Sequence, residues 1–255
     1  MNVLHSYLFF SIKFAGGTSD LMYKILKAQS KNGQKPVLLT GDYRFDDELF
    51  GRLNNVELIK SKSFFDAAGF SIMPSLIFDL IKNRGKFDVV HLHIYRTFQS
   101  ALLYVFCCIF NKKYIIDAHG AVPYHQNKIF LKKLFDLLIG RRMLKNADCL
   151  VAETEVGKQE YLDICPELNP EKIRVLSPPF DTDEFDPIPS ENEFRKKFEI
   201  PPDKKLITFL GRLHHIKGND FLINGFERLM QKRKDCHLVL VGPDDGHEAV
   251  LRQMV

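Results

Sequence analysis

Short β-branched runs alternate with longer segments of helical periodicity along most of this chain, and that alternation limits the folds open to it more than any single residue does. Strands are expected at 3–9, 37–40, 56–59, 89–92, 114–118, 150–152 and 175–176. Between them, Leu21, Ile25 and Ala28 mark one helical face, and Leu76, Leu80 and Ile81 mark another. Strands separated by helices do not pair as hairpins, so the pattern predicts an α/β fold with a mainly parallel sheet and helices on both faces. With 45% hydrophobic and 27% charged residues the composition is that of a folded globular protein. The net charge of +4 does not call for a nucleic-acid partner.

The alternation breaks over residues 177–204, where Pro178, Pro179, Pro187, Pro189, Pro201 and Pro202 cluster. Such a stretch cannot be a central strand. It reads as a connection, with a short helix near 191–198. A fresh strand follows at 206–210, then a helix at 220–231 and a strand at 237–241. That helix carries Leu222, Phe226, Leu229 and Met230 on one face, with Asn219 as its expected N-cap. Three parts are therefore expected: a complete doubly wound domain over 1–176, a Pro-rich connection over 177–204, and the beginning of a second such domain over 205–255. Residues 205–255 are too few to close a doubly wound domain around its own core, so the chain is expected to be truncated within it.

The N-terminus "MNVLHSYLFF" lacks the basic start and cleavage site of a signal peptide, and the longest apolar run, 101–110, is short of the ~20 residues of a spanning helix. The five cysteines are odd in number and form no CxxC pair, which points to a reducing compartment without a disulfide framework or thiolate zinc site. A cytoplasmic location is expected.

Ligands of open α/β sheets bind beyond the C-terminal ends of the strands, and four segments lie there. In "FAGGTSD", Gly16 and Gly17 let the backbone approach a ligand and open a helix N-terminus, the alternative being a glycine turn capped by Ser19. In "FDVVHLHIY", His91 and His93 share one side of a strand; without a third ligand at a recognisable spacing they suit a structural or ligand-lining role better than a metal. In "YIIDAHGAVPY", Asp117 and His119 end a buried strand and form a polar pair suited to a cleft edge, or a capping Asp beside a hydrogen-bonded His. In "ITFLGRLHHIKG", Arg212 offers a fixed fork of donors and Lys217 a mobile charge, a pair suited to a diphosphate unless the loop is simply solvated. His214 and His215 beside them are expected to be exposed loop residues.

Asp181 and Asp183 form a DxD, a pattern that holds a metal in some sugar transferases, but they sit in the proline-rich connection and read as loop. Asp244 and Asp245 follow the last strand and face either a cleft or solvent. Residues 128–145 carry Lys128, Lys132, Lys133, Arg141, Arg142 and Lys145 against one acid, Asp136, with Leu131, Leu134, Phe135, Leu138 and Ile139 as an apolar face. A basic amphipathic helix of this kind either lies on an anionic membrane or packs on its own sheet with its charges in water.

In this order "GGTSD", "DVVHLH", "DAHG", "NADCLVAETEVGKQEYL", "IRVLSPPFDTDEFDP" and "FLGRLHHIKGNDFLINGF" resemble the retaining, nucleotide-sugar-dependent glycosyltransferases of family 4, which have the GT-B fold of two facing Rossmann-like domains. The G-R-x4-K-G element is the most specific of them. The resemblance implies that Arg212 and Lys217 bind the donor diphosphate, that Gly16 and Gly17 approach the donor phosphate and the acceptor, and that His119 lies by the transferred sugar and helps to orient it. It further implies a nucleotide sugar as donor, a glycan or lipid-linked acceptor, and no metal or other cofactor. Where family members usually read N-G-x-D this chain reads "SPPFD", and it stops before the family's paired glutamates, so weak or no activity is expected of these residues alone. Two alternatives stay open: a GT-B sugar-nucleotide epimerase, and a non-catalytic fragment that binds an acceptor or partner.

Overall fold

The computed structural model describes residues 1–67, 70–124, 128–180, 182, 186–188 and 191–255. The chain divides into two compact units, Met1–Asp181 and Thr182–Val255.

The first unit is built on seven parallel strands: β1 (Val3–Ser6), β2 (Val37–Gly41), β3 (Glu57–Ser61), β6 (Val89–His93), β7 (Lys113–Asp117), β8 (Cys149–Ala152) and β9 (Ile173–Val175). Their order across the sheet is β3-β2-β1-β6-β7-β8-β9. All seven coincide with expected strands to within a few residues at the ends. A short antiparallel hairpin, β4 (Phe65–Ala67) with β5 (Phe70–Ile72), lies between β3 and the next helix and was not foreseen. The helices are α1 (Ile12–Ala15), α2 (Gly17–Lys31), α3 (Asp47–Gly51), α4 (Leu76–Asn83), α5 (Phe98–Phe110), α6 (Ile129–Phe135), α7 (Arg141–Asn146) and α8 (Glu155–Ile164). Chain order reverses between β1 and β6, which makes their C-terminal ends the topological switch point where doubly wound sheets hold ligands.

Strand β2 shows why both faces are covered. Val37 and Leu39 enter one core with Leu4, Val90 and Phe106, while Leu38 enters a second core with Phe10, Met22 and Leu26. Alternation along a strand sends neighbours to opposite faces. Each fully buried leucine contributes roughly 1.5–3 kcal/mol of hydrophobic stabilisation, so two filled faces fix the register strongly. The buried stripe of α2 is Ser19, Met22 and Leu26, whereas Leu21 and Ile25 are half-buried and Ala28 is exposed. The expected face was therefore misplaced by one position, because a polar residue, Ser19, continues the buried stripe. Its hydroxyl does not cap the helix: it donates to the Phe9 carbonyl and accepts from the Ser11 amide. On α4, Leu76 and Leu80 are buried, while Ile81 is exposed.

The basic stretch after β7 is not one regular α-helix. Helix α6 passes into a π turn, Asp136–Gly140, before α7. Phe135 and Ile139 pack on the core, but Leu131, Leu134 and Leu138 of the expected apolar face are exposed. Asp136 accounts for the distortion, because its carboxylate is drawn inward to four donors described below. No helix among the described residues is long and apolar enough to cross a membrane.

The second unit holds α9 (Glu191–Lys197), β10 (Lys205–Leu210), α10 (Asn219–Lys232), β11 (Cys236–Val241) and α11 (Glu248–Arg252). β10 and β11 pair in parallel, as strand, helix, strand requires. Leu213, Ile223 and Leu251 form its core, with the expected residues Leu222, Phe226, Leu229 and Met230 half-buried. Gly218, in a left-handed conformation, is the N-cap of α10, and Asn219 is instead its first buried residue. Part of the expected connection belongs to this unit: Ile200 is buried, and Arg195 donates to the carbonyls of Pro201 and Lys204.

Candidate functional site

At the switch point the sheet places histidines rather than aliphatic residues. His5 on β1 is in register with His91 on β6, and His93 with Asp117 on β7. Residues two apart on a strand share a face, so His5, His91 and His93 meet on one side of the sheet. The His91 and His93 ring centroids lie 4.0 Å apart, and those of His5 and His91 lie 5.3 Å apart. His119 follows β7 and stacks on His93 with centroids 5.2 Å apart.

The rings are joined by hydrogen bonds. His5 pairs with Gln29 of α2 at 2.9 Å and with His93 at 3.2 Å. His93 pairs with His119 at 2.9 Å, and His119 Nδ1 reaches Glu153 at 3.0 Å and Asp117 at 3.3 Å. Both ring nitrogens of His119 are thus engaged. Burial lowers the pKa of His5 to about 4 and that of His93 well below the ordinary histidine value. Burial also pushes the Asp117 carboxyl up, against the pull of His119. His91 Nε2 is buried without a partner among the described residues.

The backbone at this edge is unusual. Ile94 (φ 71°) and His119 (φ 47°) both lie in the left-handed region, which β-branched residues in particular avoid. Ile94 donates its amide to the Asp117 carbonyl at 2.8 Å, which holds β6 to β7 past the end of the strand. His119 and Gly120 form the centre of a turn closed by the Ala121 amide on the Ala118 carbonyl. That turn is anchored from behind. Arg96 donates to the Ala121 carbonyl at 2.6 Å and to both carboxylate oxygens of Asp136, which also accepts from the Tyr95 and Tyr124 hydroxyls at 2.8 Å each. A cavity of about 210 Å³ opens beside the turn, lined by Asp117, His119, Glu153, Thr154 and Glu160 among others.

Gly16 and Gly17 lie on the same sheet edge, after β1. Gly16 adopts φ 62°, ψ −135°, a conformation essentially reserved for glycine, and a Cβ at either position would meet nothing within 4 Å. Gly17 is the first residue of α2, so its amide is one of the unsatisfied donors of a helix N-terminus.

Metal binding can be asked of two groups, His5 with His91 and His93, and His93 with Asp117 and His119, whose ligand atoms lie within 4.8 Å of one another. In the first group His5 and His93 already hydrogen-bond to each other while His91 Nε2 has no partner among the described residues; in the second, His93 and His119 are hydrogen-bonded to each other. Asp181 and Asp183 lie outside the described residues.

In the second unit, Arg212 and Lys217 flank the turn from β10 to α10. Arg212 forms an ion pair with Asp245 at 2.7 Å, in which the side chains are 59% and 41% exposed. Lys217 is exposed and precedes Gly218. The ends of β10 and β11 pinch together: a Cβ on Gly242 would fall 1.9 Å from the Gly211 carbonyl oxygen, so only glycine fits there. His214 is half-buried and accepts from the Ile216 amide, while His215 is exposed. Asp244 caps α11, accepting three backbone amides at 3.0 Å that hold its carboxyl below the usual range.

The first unit therefore gathers His91, His93, Asp117 and His119, while Arg212 and Lys217 belong to the other unit. Sequence reasoning missed His5, Gln29, Glu153 and the Arg96–Asp136 pair. The signal for Asp136 was present, since it is the one acid of a basic stretch. Glu153, directly after the strand ending at Ala152, was equally open to inspection. Nothing local to His5 or Gln29 marks them.

Residues 15–184 match the profile of Glycosyltransferase Family 4, and residues 190–255 that of Glycosyl transferases group 1. A D-inositol 3-phosphate glycosyltransferase of Xylanimonas cellulosilytica is 25% identical over 188 residues, covering 68% of this chain and 42% of that protein. The putative glycosyltransferase YtcC of Bacillus subtilis is 28% identical over 138 residues, 52% of this chain and 32% of the relative. The chain thus spans less than half the length of these relatives. The Anabaena protein Alr3699/HepE, solved in complex with UDP and glucose, superposes with a TM-score of 0.74 at 13% identity, over 100% of this chain and 65% of its own. That likeness shows the fold: GT-B-like, with one Rossmann-like doubly wound domain followed by strand, helix and strand of a second. A family profile matched over two thirds of the residues, on a fold of that kind, settles the classification: the chain belongs to glycosyltransferase family 4.

Proposed function

We propose that these residues are part of a glycosyltransferase that moves a sugar from a nucleoside-diphosphate sugar to an acceptor hydroxyl with retention. The observation that carries this reading is the Arg212–Lys217 pair at the strand-to-helix turn of the second unit, in a family one of whose fold relatives holds UDP and glucose. Breaking the bond from the anomeric carbon to the β-phosphate oxygen leaves an electron pair, and negative charge, on the diphosphate. Arg212 and Lys217 stabilise that charge more in the transition state than in the ground state, so they supply what a metal ion would otherwise supply. Arg212 must first exchange Asp245 for phosphate, an exposed exchange that costs little. The acceptor hydroxyl attacks the same face of the sugar, and its proton passes to the departing phosphate oxygen. Gly16 and Gly17 let backbone approach the phosphates or the acceptor, and Asp117, His91 and His93 line and support the pocket edge. His119 orients the transferred sugar. Its half-buried partner Glu153, and not the buried His93, is the one a sugar hydroxyl displaces. Calorimetric titration with UDP tests the reading. Arg212→Ala and Lys217→Ala should each weaken binding roughly 10- to 100-fold. Equal affinity in all three proteins would refute it.

The acceptor is a glycan, lipid or polysaccharide precursor met at an anionic membrane surface. Phe130 and Leu137 are 76% and 75% exposed, and Leu131 and Leu138 stand out beside them, on a segment ringed by Lys128, Lys133, Arg141, Arg142 and Lys145. Its one acid is buried against Arg96, so the outward charge is all positive and complements an anionic lipid surface rather than another basic face. The expected place of action is the cytoplasmic side. The chain should sediment with phosphatidylglycerol vesicles and not with phosphatidylcholine vesicles, and Phe130→Ser with Leu137→Ser should release it. Self-association without vesicle binding would assign the patch to a second copy instead.

A further inference from the structure

Gln29, His5, His93, His119 and Glu153 form an unbroken line of hydrogen bonds from helix α2, across β1 and β6, to the mouth of the cavity. Gln29 Oε1 meets His5 Nε2, His5 Nδ1 meets His93 Nε2, His93 Nδ1 meets His119 Nε2, and His119 Nδ1 meets Glu153 Oε1, at 2.9, 3.2, 2.9 and 3.0 Å. Each of these four links takes one proton, and three neutral imidazoles carry three. Ionised Glu153 can only accept, so the other end of the line decides where the fourth proton comes from.

With the Gln29 carbonyl facing His5, both ends accept. His5 and His93 then carry their protons on Nε2, and His119 must be an imidazolium, donating to His93 from Nε2 and to Glu153 from Nδ1. Burial holds the other two rings neutral, and Asp117 lies 3.3 Å from His119 Nδ1. With the amide turned through half a revolution, which leaves its shape almost unchanged, Gln29 donates to His5 Nε2. His5, His93 and His119 then all carry their protons on Nδ1, and all three are neutral.

We propose that Gln29, His5 and His93 are positioning residues that couple the charge of His119 to a concerted exchange of protonated nitrogens along this line. When His119 loses a proton, His5 and His93 each move theirs from Nε2 to Nδ1 while staying neutral, and the Gln29 amide turns. In both arrangements His119 presents an N–H, never a lone pair, toward Glu153. Its use in catalysis rests on the sugar-orienting role proposed above: a substrate oxygen that displaces Glu153 meets a donor, so His119 orients and stabilises charge and does not act as a base. The other ionisable groups facing the line are His91 on β6, Asp117 on β7, and Glu160 and Tyr161 of α8 across the cavity. Burial keeps the Tyr161 phenol protonated.

Long-range proton–nitrogen correlation spectra of the ¹⁵N-labelled chain, recorded across the histidine titration range, read this directly. His5 and His93 should exchange their protonated nitrogens at the midpoint of the His119 titration, neither taking a second proton. Gln29→Glu, an acceptor only, should hold both rings in the Nε2–H form and raise the His119 midpoint by about one pH unit or more. Gln29→Lys, a donor only, should hold the Nδ1–H form and lower it. Fixed tautomers of His5 and His93 through the His119 titration would overturn the proposal, as would midpoint shifts of the same sign in the two variants. So would stoichiometric Zn²⁺ binding at His5, His91 and His93, since an ion takes the nitrogens the line needs. The wild-type titration decides the matter even if a variant misfolds. No substrate is present, so a failed relay leaves the UDP titration untouched, and failed UDP binding leaves the relay standing.

Discussion

The two units place their charged groups in opposite environments. In the first, Arg96 and Asp136 are 8% and 2% exposed, and His5 and His93 are buried, with His5 bonded to Gln29 of helix α2. In the second, the Arg212–Asp245 pair stands in water on a sheet of two strands whose small core cluster is Leu213, Ile223 and Leu251. A group locked in the interior is tied to the stability and proton inventory of its unit. A group at the surface is governed by ionic strength and by what exchanges with it.

The largest expected effect sets core against core. Phe106→Ala, in the core shared by β6, β7 and α5, should cost ~3–5 kcal/mol in denaturant unfolding of the first unit. Ile223→Ala in the second should stay near the low end of its class, ~2 kcal/mol, because its surroundings can collapse onto the space. Equal losses would end the distinction between a filled and a sparse core. Ion pair against ion pair comes next. Asp136→Ala leaves Arg96 buried and uncompensated and should cost ~3–5 kcal/mol, whereas Asp245→Ala should change stability by less than ~1 kcal/mol.

Acid should separate the units further. His5 in the folded chain has its pKa lowered from 6.5 to about 4, so as pH falls the unfolded chain takes up its proton first. The stability from keeping His5 neutral is full above pH 6.5 and is lost as pH falls toward about 4, on the order of 3 kcal/mol. His91 and His93 shift in the same direction, and Asp117, whose pKa is raised, opposes them at the acid end. Unfolding of the first unit followed from pH 7 to 4.5 should show this loss, and His5→Phe should flatten the slope; a slope unchanged by that substitution would mean other groups carry it. The smallest effect is on the second unit, where UDP affinity should fall with salt because Arg212 and Lys217 are exposed.

Much of the fold was legible because its signals are local. A run such as "VLLTG" is apolar whichever strand it pairs with, and all seven strands of the large sheet were found from such runs. Arg212, Lys217 and His119 were named because they stand within a few residues of a strand end. The misses share a different cause. The buried stripe of α2 was misplaced because Ser19 carries no apolar signal, and the π turn went unseen because its cause, Asp136, answers to Arg96 forty residues earlier. The β4–β5 hairpin is too short for a periodic pattern to register.

Sequence alone determined the fold class, which follows from hydrophobic period, and pointed to the family through the resemblance of contiguous stretches such as "GRLHHIKG". Only the tertiary structure decided which histidines touch. His5 precedes His93 by 88 residues, and they meet because β1 lies beside β6 in one register, which a slip of one residue would have undone by turning His5 to the other face. Contacts of that kind depend on the packing of the whole sheet, and no local stretch of the chain encodes them.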